Sequence, residues 1–351
     1  MNRKIITGIA SFGMSGKVFH GPLLTNHDGF QLKTIVERTK NEAAALYPGV
    51  EIIREYEKLL HDKEIELVIV NTPDHTHYDL AMEAIKAGKH VIVEKPFTQT
   101  LEQAYALIEA AREKGVMLSV FQNRRWDGDF LTIQQVIENN LLGKLVEFES
   151  HFDRFRNYIQ TGTWKENADT GTGTLYNLGS HLIDQAVLLF GVPDAVNAEI
   201  RILRPGGEVD DCFDIRLSYN YIKVTLKASY LVREQGPKYF LHGVHGSFVK
   251  YGLDVQEDAL KAGGIPGTPG WGIEDEQNWG MLNTDIGDLH YKGRIETLPG
   301  NYLAYYDNIY DHIIKGKPLT VKAEQAAETI KIIKAAYKSN ELQQTIRLAD
   351  M

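Results

Sequence analysis

Short apolar runs alternate with amphipathic stretches over the first third of the chain. Lys4–Ala10, Phe30–Val36, Glu51–Ile53, Leu67–Val70, Lys89–Val93 and Met117–Gln122 are too short for helices and rich in β-branched residues, so they read as strands. Between them lie helix signals: a stretch through Phe19 to Leu24, and possible capping boxes at Thr39-x-x-Glu42, Thr76-x-x-Asp79 and Thr100-x-x-Gln103. The second of these helices is expected to end before Pro48-Gly49, the third at Ala87 before Gly88, and the fourth at Lys114 before Gly115. Strands alternating with helices through short connections predict a doubly wound parallel sheet.

The pattern changes after Asn123-Arg124-Arg125-Trp126. One helix is expected over Phe130–Asn139. A long strand follows over Leu145–Arg156, with Val146, Phe148, Ser150 and Phe152 on one face. Further strands are expected at Val196–Leu203, Asp211–Tyr219, Lys223–Val232, Lys238–His242 and Ser247–Tyr251. No helix-length gaps separate most of them, so an open, mostly antiparallel sheet in an α+β domain is expected. Gly263–Gly272 reads as a loop, and Tyr302–Ile314 and Ala323–Ser339 as closing helices. The division is thus 1–122 and 123–351.

Composition narrows the setting. The 351 residues carry 47 acidic against 38 basic side chains, a formal charge of −9, which disfavours nucleic acid or anionic membrane as the main partner. No apolar run is as long as a membrane span. The single cysteine, Cys212, cannot form an internal disulfide and fits a reducing cytoplasm. The apolar start is broken early by Gly8, Ser11 and Gly13, as suits a strand better than a signal peptide.

The candidate chemistry falls mostly at the carboxyl ends of the first strands, where open α/β sheets keep their ligands. Ser11-Phe12-Gly13-Met14-Ser15-Gly16 is close to G-x-G-x-x-G, with Ser11 in the first glycine's place. Gly13 would let the backbone approach a pyrophosphate, and Gly16 would let the following helix pack closely. Glu37, some twenty residues beyond Gly16, has the spacing of an acid that grips a ribose, whereas Arg38 and Thr39 suit a 2′-phosphate. Asn71-Thr72-Pro73 and Glu94-Lys95-Pro96 end two more strands. Pro96 stops its strand and leaves Lys95 at the strand end, where it either simply reaches solvent or is partly desolvated and so a usable acid or base. His75 and His77 form an H-x-H pair, but no third ligand stands at a metal-binding spacing, and no metal is expected. In the second half Asn177, His181 and Asp184 share a helix face, and neutral His181 beside an alcohol is a plausible general base. Asn177 is equally a favoured N-cap type, and His181 could be a core residue.

Together these stretches resemble the Gfo/Idh/MocA oxidoreductases, the glucose–fructose oxidoreductase and inositol dehydrogenase family. The resemblance covers essentially the whole chain. It is carried by Ser11–Gly16, Asn71-Thr72-Pro73, Glu94-Lys95-Pro96, Gly179-x-His181 and the helix pair after Tyr305-Tyr306. Asn123-Arg124-Arg125-Trp126-Asp127 and Ser247–Gly252 resemble the branch containing NADP-dependent scyllo-inositol dehydrogenases.

The resemblance implies an N-terminal Rossmann domain that binds NAD or NADP, with a lean to NADP. It also implies a nicotinamide beside Lys95, a Lys95–Pro96 bond that is often cis, and oligomers built on the C-terminal sheet, here a dimer or tetramer. Ser11, Phe12, Gly13, Gly16, Glu37, Arg38, Thr39, Asn71, Thr72, Pro73, His75, Glu94, Lys95 and Asn123 are the expected cofactor contacts. The family's catalytic set is the lysine, the histidine and an aspartate four residues before the histidine; Lys95 and His181 match, and Asn177 departs from it. Asp184 or Asp169 is expected to supply part of the missing charge. Arg156, Trp164, Asn177 and His181 are the expected substrate contacts. The expected activity is reversible oxidation of a secondary hydroxyl on a polyol, inositol or sugar. A regulator without turnover and redox-assisted glycoside cleavage are the alternatives.

Overall fold

Leu67–Val70 and Val91–Val93 are completely buried, as strands flanked on both faces must be. They belong to a six-stranded sheet in a computed structural model that describes residues 3–168 and 172–351. Its strands are β1 (Ile5–Ile9), β2 (Phe30–Val36), β3 (Glu51–Ile53), β4 (Leu67–Val70), β5 (His90–Val93) and β6 (Leu118–Val120). They are ordered β3-β2-β1-β4-β5-β6, and every pair is parallel. The order reverses between β1 and β4, the switch point of a doubly wound sheet. The connecting helices are α1 (Gly21–Thr25), α2 (Glu42–Leu46), α3 (Tyr56–His61), α4 (His77–Lys86) and α5 (Leu101–Lys114). A π-helical turn, Gly16–His20, leads directly into α1.

The cap signals divide. At α5 the capping box forms in full between Thr100 and Gln103, and Gly115 closes the helix in the left-handed conformation. Thr39 does not cap α2, which begins after Asn41. The first two N–H groups of α2, on Glu42 and Ala43, donate to the two oxygens of Glu37 at 3.1 and 3.0 Å. Thr76 precedes α4, but its hydroxyl donates to Pro73 O at 2.7 Å instead of capping. The nearby Glu37 carboxylate in one case and a local turn in the other displaced the expected bonds.

The second sheet has nine strands: β7 (Leu145–His151), β8 (Ala195–Arg201), β9 (Cys212–Ser218), β10 (Lys223–Ser229), β11 (Tyr239–Gly243), β12 (Gly246–Lys250), β13 (Gly280–Ile286), β14 (Leu289–Ile295) and β15 (Ile346–Arg347). Its order is β14-β13-β12-β11-β7-β10-β9-β8-β15. All neighbours are antiparallel except β7 and β10. β7 stops at His151, short of the expected Arg156; beyond it Phe155 makes only an isolated bridge to Leu231. Phe148, Ser150 and Phe152 are buried together, but Val146 on the same parity is exposed. The hairpin β13–β14 has no counterpart in the sequence reading, because the second strand, LHYKGRI, is exposed almost throughout and shows no apolar alternation. The helices here are α6 (Gly128–Glu138) and α7 (Ser180–Phe190), the latter entered through a second π turn, Leu175–Gly179. The remaining helices are α8 (Gln256–Lys261), α9 (Leu303–Lys315) and α10 (Ala323–Leu342).

By contacts the chain forms two units. The first comprises Met1–Trp126, Gln256–Trp271 and Asn301–Ala327, so α8 and α9 group with the parallel sheet. The second comprises Asp127–Val255, Gly272–Gly300 and Glu328–Met351. Among the described residues no helix is long and apolar enough to cross a membrane.

Candidate functional site

Parallel strands put all their carboxyl ends on one edge, and in the first unit that edge gathers the expected cofactor residues. Ser11–Gly16 follows β1, Glu37–Thr39 follows β2, Asn71–Pro73 and His75 follow β4, Glu94 and Lys95 follow β5, and Asn123 follows β6. Asn71 ties two of these segments together, its Nδ2 donating to Ser11 O at 2.8 Å. A Cβ on Gly16 would lie 2.7 Å from Ser11 O, so the tight turn demands glycine there. A Cβ on Gly13 would meet nothing nearer than Ser11 Oγ at 3.7 Å. The chain's own packing therefore leaves Gly13 room for a side chain, and its exposed backbone is open to an approaching phosphate. Asn71 Oδ1 is buried without a hydrogen-bond partner among the described residues. An open glycine turn beside an unanswered amide fits a dinucleotide cofactor.

The loop after β2 is braced from below. Arg54 donates to Glu37 O and Lys40 O, each at 2.5 Å, and to Asn41 Oδ1 at 2.6 Å. Glu37 is itself buried with both carboxylate oxygens on the backbone of α2, whereas Arg38, Thr39 and Lys40 are exposed. Lys40 pairs with Glu42 at 2.9 Å, and Lys17 pairs with the same carboxylate.

Lys95 lies between two residues gripped by buried histidines. Glu94 Oε1 meets His20 Nε2 at 3.0 Å, and Glu94 Oε2 accepts from the Lys95 backbone N–H at 3.1 Å. His77 contacts Pro96 O through Nδ1 at 2.9 Å and Thr72 O through Nε2 at 3.0 Å, which binds the loops after β4 and β5 together. With both ring nitrogens so engaged, His77 works as a clamp; His75 is exposed. The Lys95–Pro96 peptide is cis. Burial raises the Glu94 carboxyl, but His20, Lys95 and His77 outweigh that and hold it below the ordinary carboxylate range. Sequence reading missed His20, His77 as a clamp, and Arg54. A lone histidine in a helix has no spacing signature, and a bond to a carbonyl cannot be read from residue type.

In the second unit Asn177 lies inside the π turn Leu175–Gly179, not at a cap. The start of that turn is held by Asp210: Leu175 N donates to Asp210 Oδ2 at 2.7 Å and Thr174 N to Asp210 O at 2.8 Å. Tyr337 donates to Asp210 Oδ1 at 2.6 Å. Burial pushes the Asp210 carboxyl up against these bonds. Asn177 Nδ2 lies 3.5 Å from Tyr230 OH, and the Arg156 guanidinium sits 5.6 Å over the Tyr230 ring. Asn177, Tyr230 and Arg156 thus group together, and Tyr230 is the member sequence reading missed. Trp164, half-buried, stands in a short turn whose Glu166 is bound by buried Arg204. His181 and Asp184 are buried on α7, and Asp169 lies outside the described residues.

Residues 5–122 match the family model described as oxidoreductase family, NAD-binding Rossmann fold. Residues 134–348 match the model for the same family's C-terminal alpha/beta domain. The chain is 43% identical to scyllo-inositol 2-dehydrogenase (NADP(+)) IolW of Bacillus subtilis, over 99% of this chain and 97% of that protein. An oxidoreductase from Bacteroides fragilis superposes with a TM-score of 0.91 at 49% identity, covering 98% of this chain and all of that one. The oxidoreductase YvaA of Bacillus subtilis does so with a TM-score of 0.94 at 42% identity, over 98% of each chain.

Proposed function

The chain belongs to the Gfo/Idh/MocA oxidoreductase family, and from that premise we propose that it oxidises a secondary hydroxyl of a polyol, inositol or sugar reversibly with NADP or NAD. The observation that carries this reading is the pair of retained groups, Lys95 held at the carboxyl end of β5 and His181 on α7. The full-length likeness to an NADP-dependent scyllo-inositol dehydrogenase supports the substrate class and the lean to NADP.

The bound nicotinamide supplies the hydride acceptor. His181 takes the hydroxyl proton as the carbinol carbon gives up its hydride, leaving a ketone. Lys95, as an ammonium, stabilises the negative charge that develops on the oxygen. Arg156 and Asn177 offer polar contacts to neighbouring hydroxyls, and the Trp164 ring offers an apolar face to the substrate ring. In the first unit Ser11–Gly16 and Asn71 would hold the pyrophosphate, with Thr72, Pro73, Glu94 and Asn123 around the rest of the cofactor. Arg38, Thr39 and Lys40, all exposed, would meet a 2′-phosphate. The domain assignment that goes with this reading is cofactor binding in 1–122 and substrate binding in 123–351.

The reading places the protein in the cytoplasm as a dimer or tetramer joined through the nine-stranded sheet. One face of that sheet is open: on β9 Phe213, Ile215 and Leu217 are buried while Arg216 and Ser218 are exposed. Ion pairs such as Lys223–Glu147, at 2.6 Å, cross the open face.

The test is a panel of polyols, inositols and sugars with NAD and NADP, followed by cofactor absorbance. Net NAD(P)H formation on a polyol or sugar supports the dehydrogenase. Asn177 favours a second reading, a cofactor-binding regulator; saturable NADP binding with no net reduction on any member would favour it instead.

A further inference from the structure

A buried titratable chain in the first unit takes no part in the proton and hydride transfers proposed above. His20 and Tyr306 have no solvent exposure, and Glu94 is 8% exposed. Tyr306 OH lies 2.7 Å from His20 Nδ1, His20 Nε2 lies 3.0 Å from Glu94 Oε1, and Lys95 N lies 3.1 Å from Glu94 Oε2. Burial pushes the Tyr306 phenol well above its ordinary range, so its hydroxyl keeps its proton and can donate. One arrangement uses every proton once. Tyr306 O–H donates to His20 Nδ1, His20 Nε2–H donates to Glu94, and the Lys95 N–H donates to the other Glu94 oxygen.

Burying an ionised carboxylate is costly even when paired, and an apolar residue of similar volume is often no less stable. Stability alone therefore gives little reason for Glu94. What the carboxylate does is local: it fixes the backbone at Lys95 and places negative charge next to that residue. The groups facing it are His20 from the π turn before α1, His77 from α4, Lys95 beside it, and Tyr305 and Tyr306 from α9. His77 fixes the other side of Lys95 by holding Pro96 O.

We propose that Glu94 is a positioning residue for Lys95, held in place by His20 and Tyr306, and that its charge keeps the lysine an ammonium. The inference rests on the proposed catalytic part of Lys95, and it adds that α9, far along the chain, sets that lysine through Tyr306. The removal of Glu94's charge lowers the pH at which Lys95 gives up its proton. The removal of the Tyr306 hydroxyl loosens the chain and leaves the charge in place.

Two readouts test this on the full chain. The first needs no substrate: acetic anhydride labelling from about pH 7 to about pH 11, where lysines titrate, with the Lys95 peptide quantified by mass spectrometry. Glu94→Gln is expected to move the Lys95 titration down by about one unit, and Tyr306→Phe to leave it within a few tenths. The second is turnover of scyllo-inositol with NADP. There Glu94→Gln is expected to lower kcat by about a hundredfold and Tyr306→Phe by a few fold, with NADP affinity kept within about threefold in Tyr306→Phe. An unmoved Lys95 titration in Glu94→Gln overturns the proposal, whatever the rate. If Glu94→Gln does not fold, His20→Asn with Tyr306→Phe takes its place, and wild-type rates in both overturn the proposal. Lys95→Ala separates the two claims. Turnover surviving in that variant refutes the catalytic assignment of Lys95, while a shifted titration in Glu94→Gln still supports the electrostatic link.

Discussion

Replacement of Glu37 by glutamine distinguishes a ribose-gripping acid from a structural one. Both Glu37 oxygens accept backbone N–H groups at the start of α2, and the residue is only 5% exposed. Glutamine keeps one acceptor and turns an amide N–H₂ toward the other donor. That loses one hydrogen bond to a charged acceptor, about 1.5–3 kcal/mol, together with a favourable charge at a helix start worth about 0.5 kcal/mol. The expected loss is therefore about 2–3.5 kcal/mol, or roughly 5–10 °C in Tm. The loop carrying Arg38, Thr39 and Lys40 hangs from the same contacts, so NADP affinity should fall with Tm, and NAD affinity should fall less. The assay is thermal unfolding alongside fluorescence titration with each cofactor. If Glu37 instead grips the ribose 2′-hydroxyl, Glu37→Gln leaves Tm nearly unchanged and weakens NAD about tenfold while sparing NADP, the loss expected for one such bond. That pattern would refute the capping argument.

Arg38→Ala should weaken NADP about tenfold or more and leave NAD nearly unchanged, since Arg38 is exposed while its neighbour Glu37 is held in the backbone; equal losses in paired titrations would assign Arg38 another task. Asn177→Asp, which places the carboxylate of the family's catalytic set four residues before His181, should raise turnover about tenfold and change the pH–rate profile; a variant slower at every pH would show that the site requires the amide. His151 lies between Asp153 at 3.1 Å and Glu149 at 2.5 Å. Burial disfavours its charge, yet these carboxylates outweigh that and raise its pKa. With the folded pKa above the unfolded one, the stabilisation is complete below about pH 6.5 and is lost as pH rises through the folded value. His151→Asn should remove that slope in urea midpoints measured across the range, and an unchanged slope would place the effect elsewhere.

The parallel sheet was legible because its signals are local. Val91–Val93 is buried on both faces and so is apolar without interruption, and Thr100, Gln103 and Gly115 satisfy their helix from within a few residues. Thr39 and Thr76 carry the same cap signature and fail, because Glu37 and Pro73 offer other partners that spacing cannot reveal. The exposed strand β14 fails for another reason: it buries neither face, so pairing with β13 holds it with no apolar alternation to announce it. The site shows the same division. Gly16 and Lys95 lie in recognisable local strings, whereas Arg54, His20 and Tyr230 act through contacts with residues 13 to 286 positions away.

Each unit starts a site-bearing helix with a π turn, and in each a buried acid bonds to a residue of the turn. In the first, Gly16–His20 places His20 on Glu94; in the second, Leu175–Gly179 contains Asn177, and Asp210 holds the turn's first N–H. A π turn inserts an extra residue and rotates the positions after it by roughly a third of a turn relative to a regular helix. This is why the i, i+4 face drawn from Asn177 to His181 is not a sound guide to their relative direction. Gly179 shows what the altered path requires: a Cβ there would lie 2.5 Å from Leu175 Cδ1. The glycine two residues before His181 is therefore needed by the packing of the turn, apart from any contact with substrate. The same holds for Gly16 at the first turn, where a Cβ would press on Ser11 O. Both glycine-containing strings that mark this family in the sequence thus have a backbone reason within the chain itself, and Gly13 is the position whose glycine calls for a ligand to explain it.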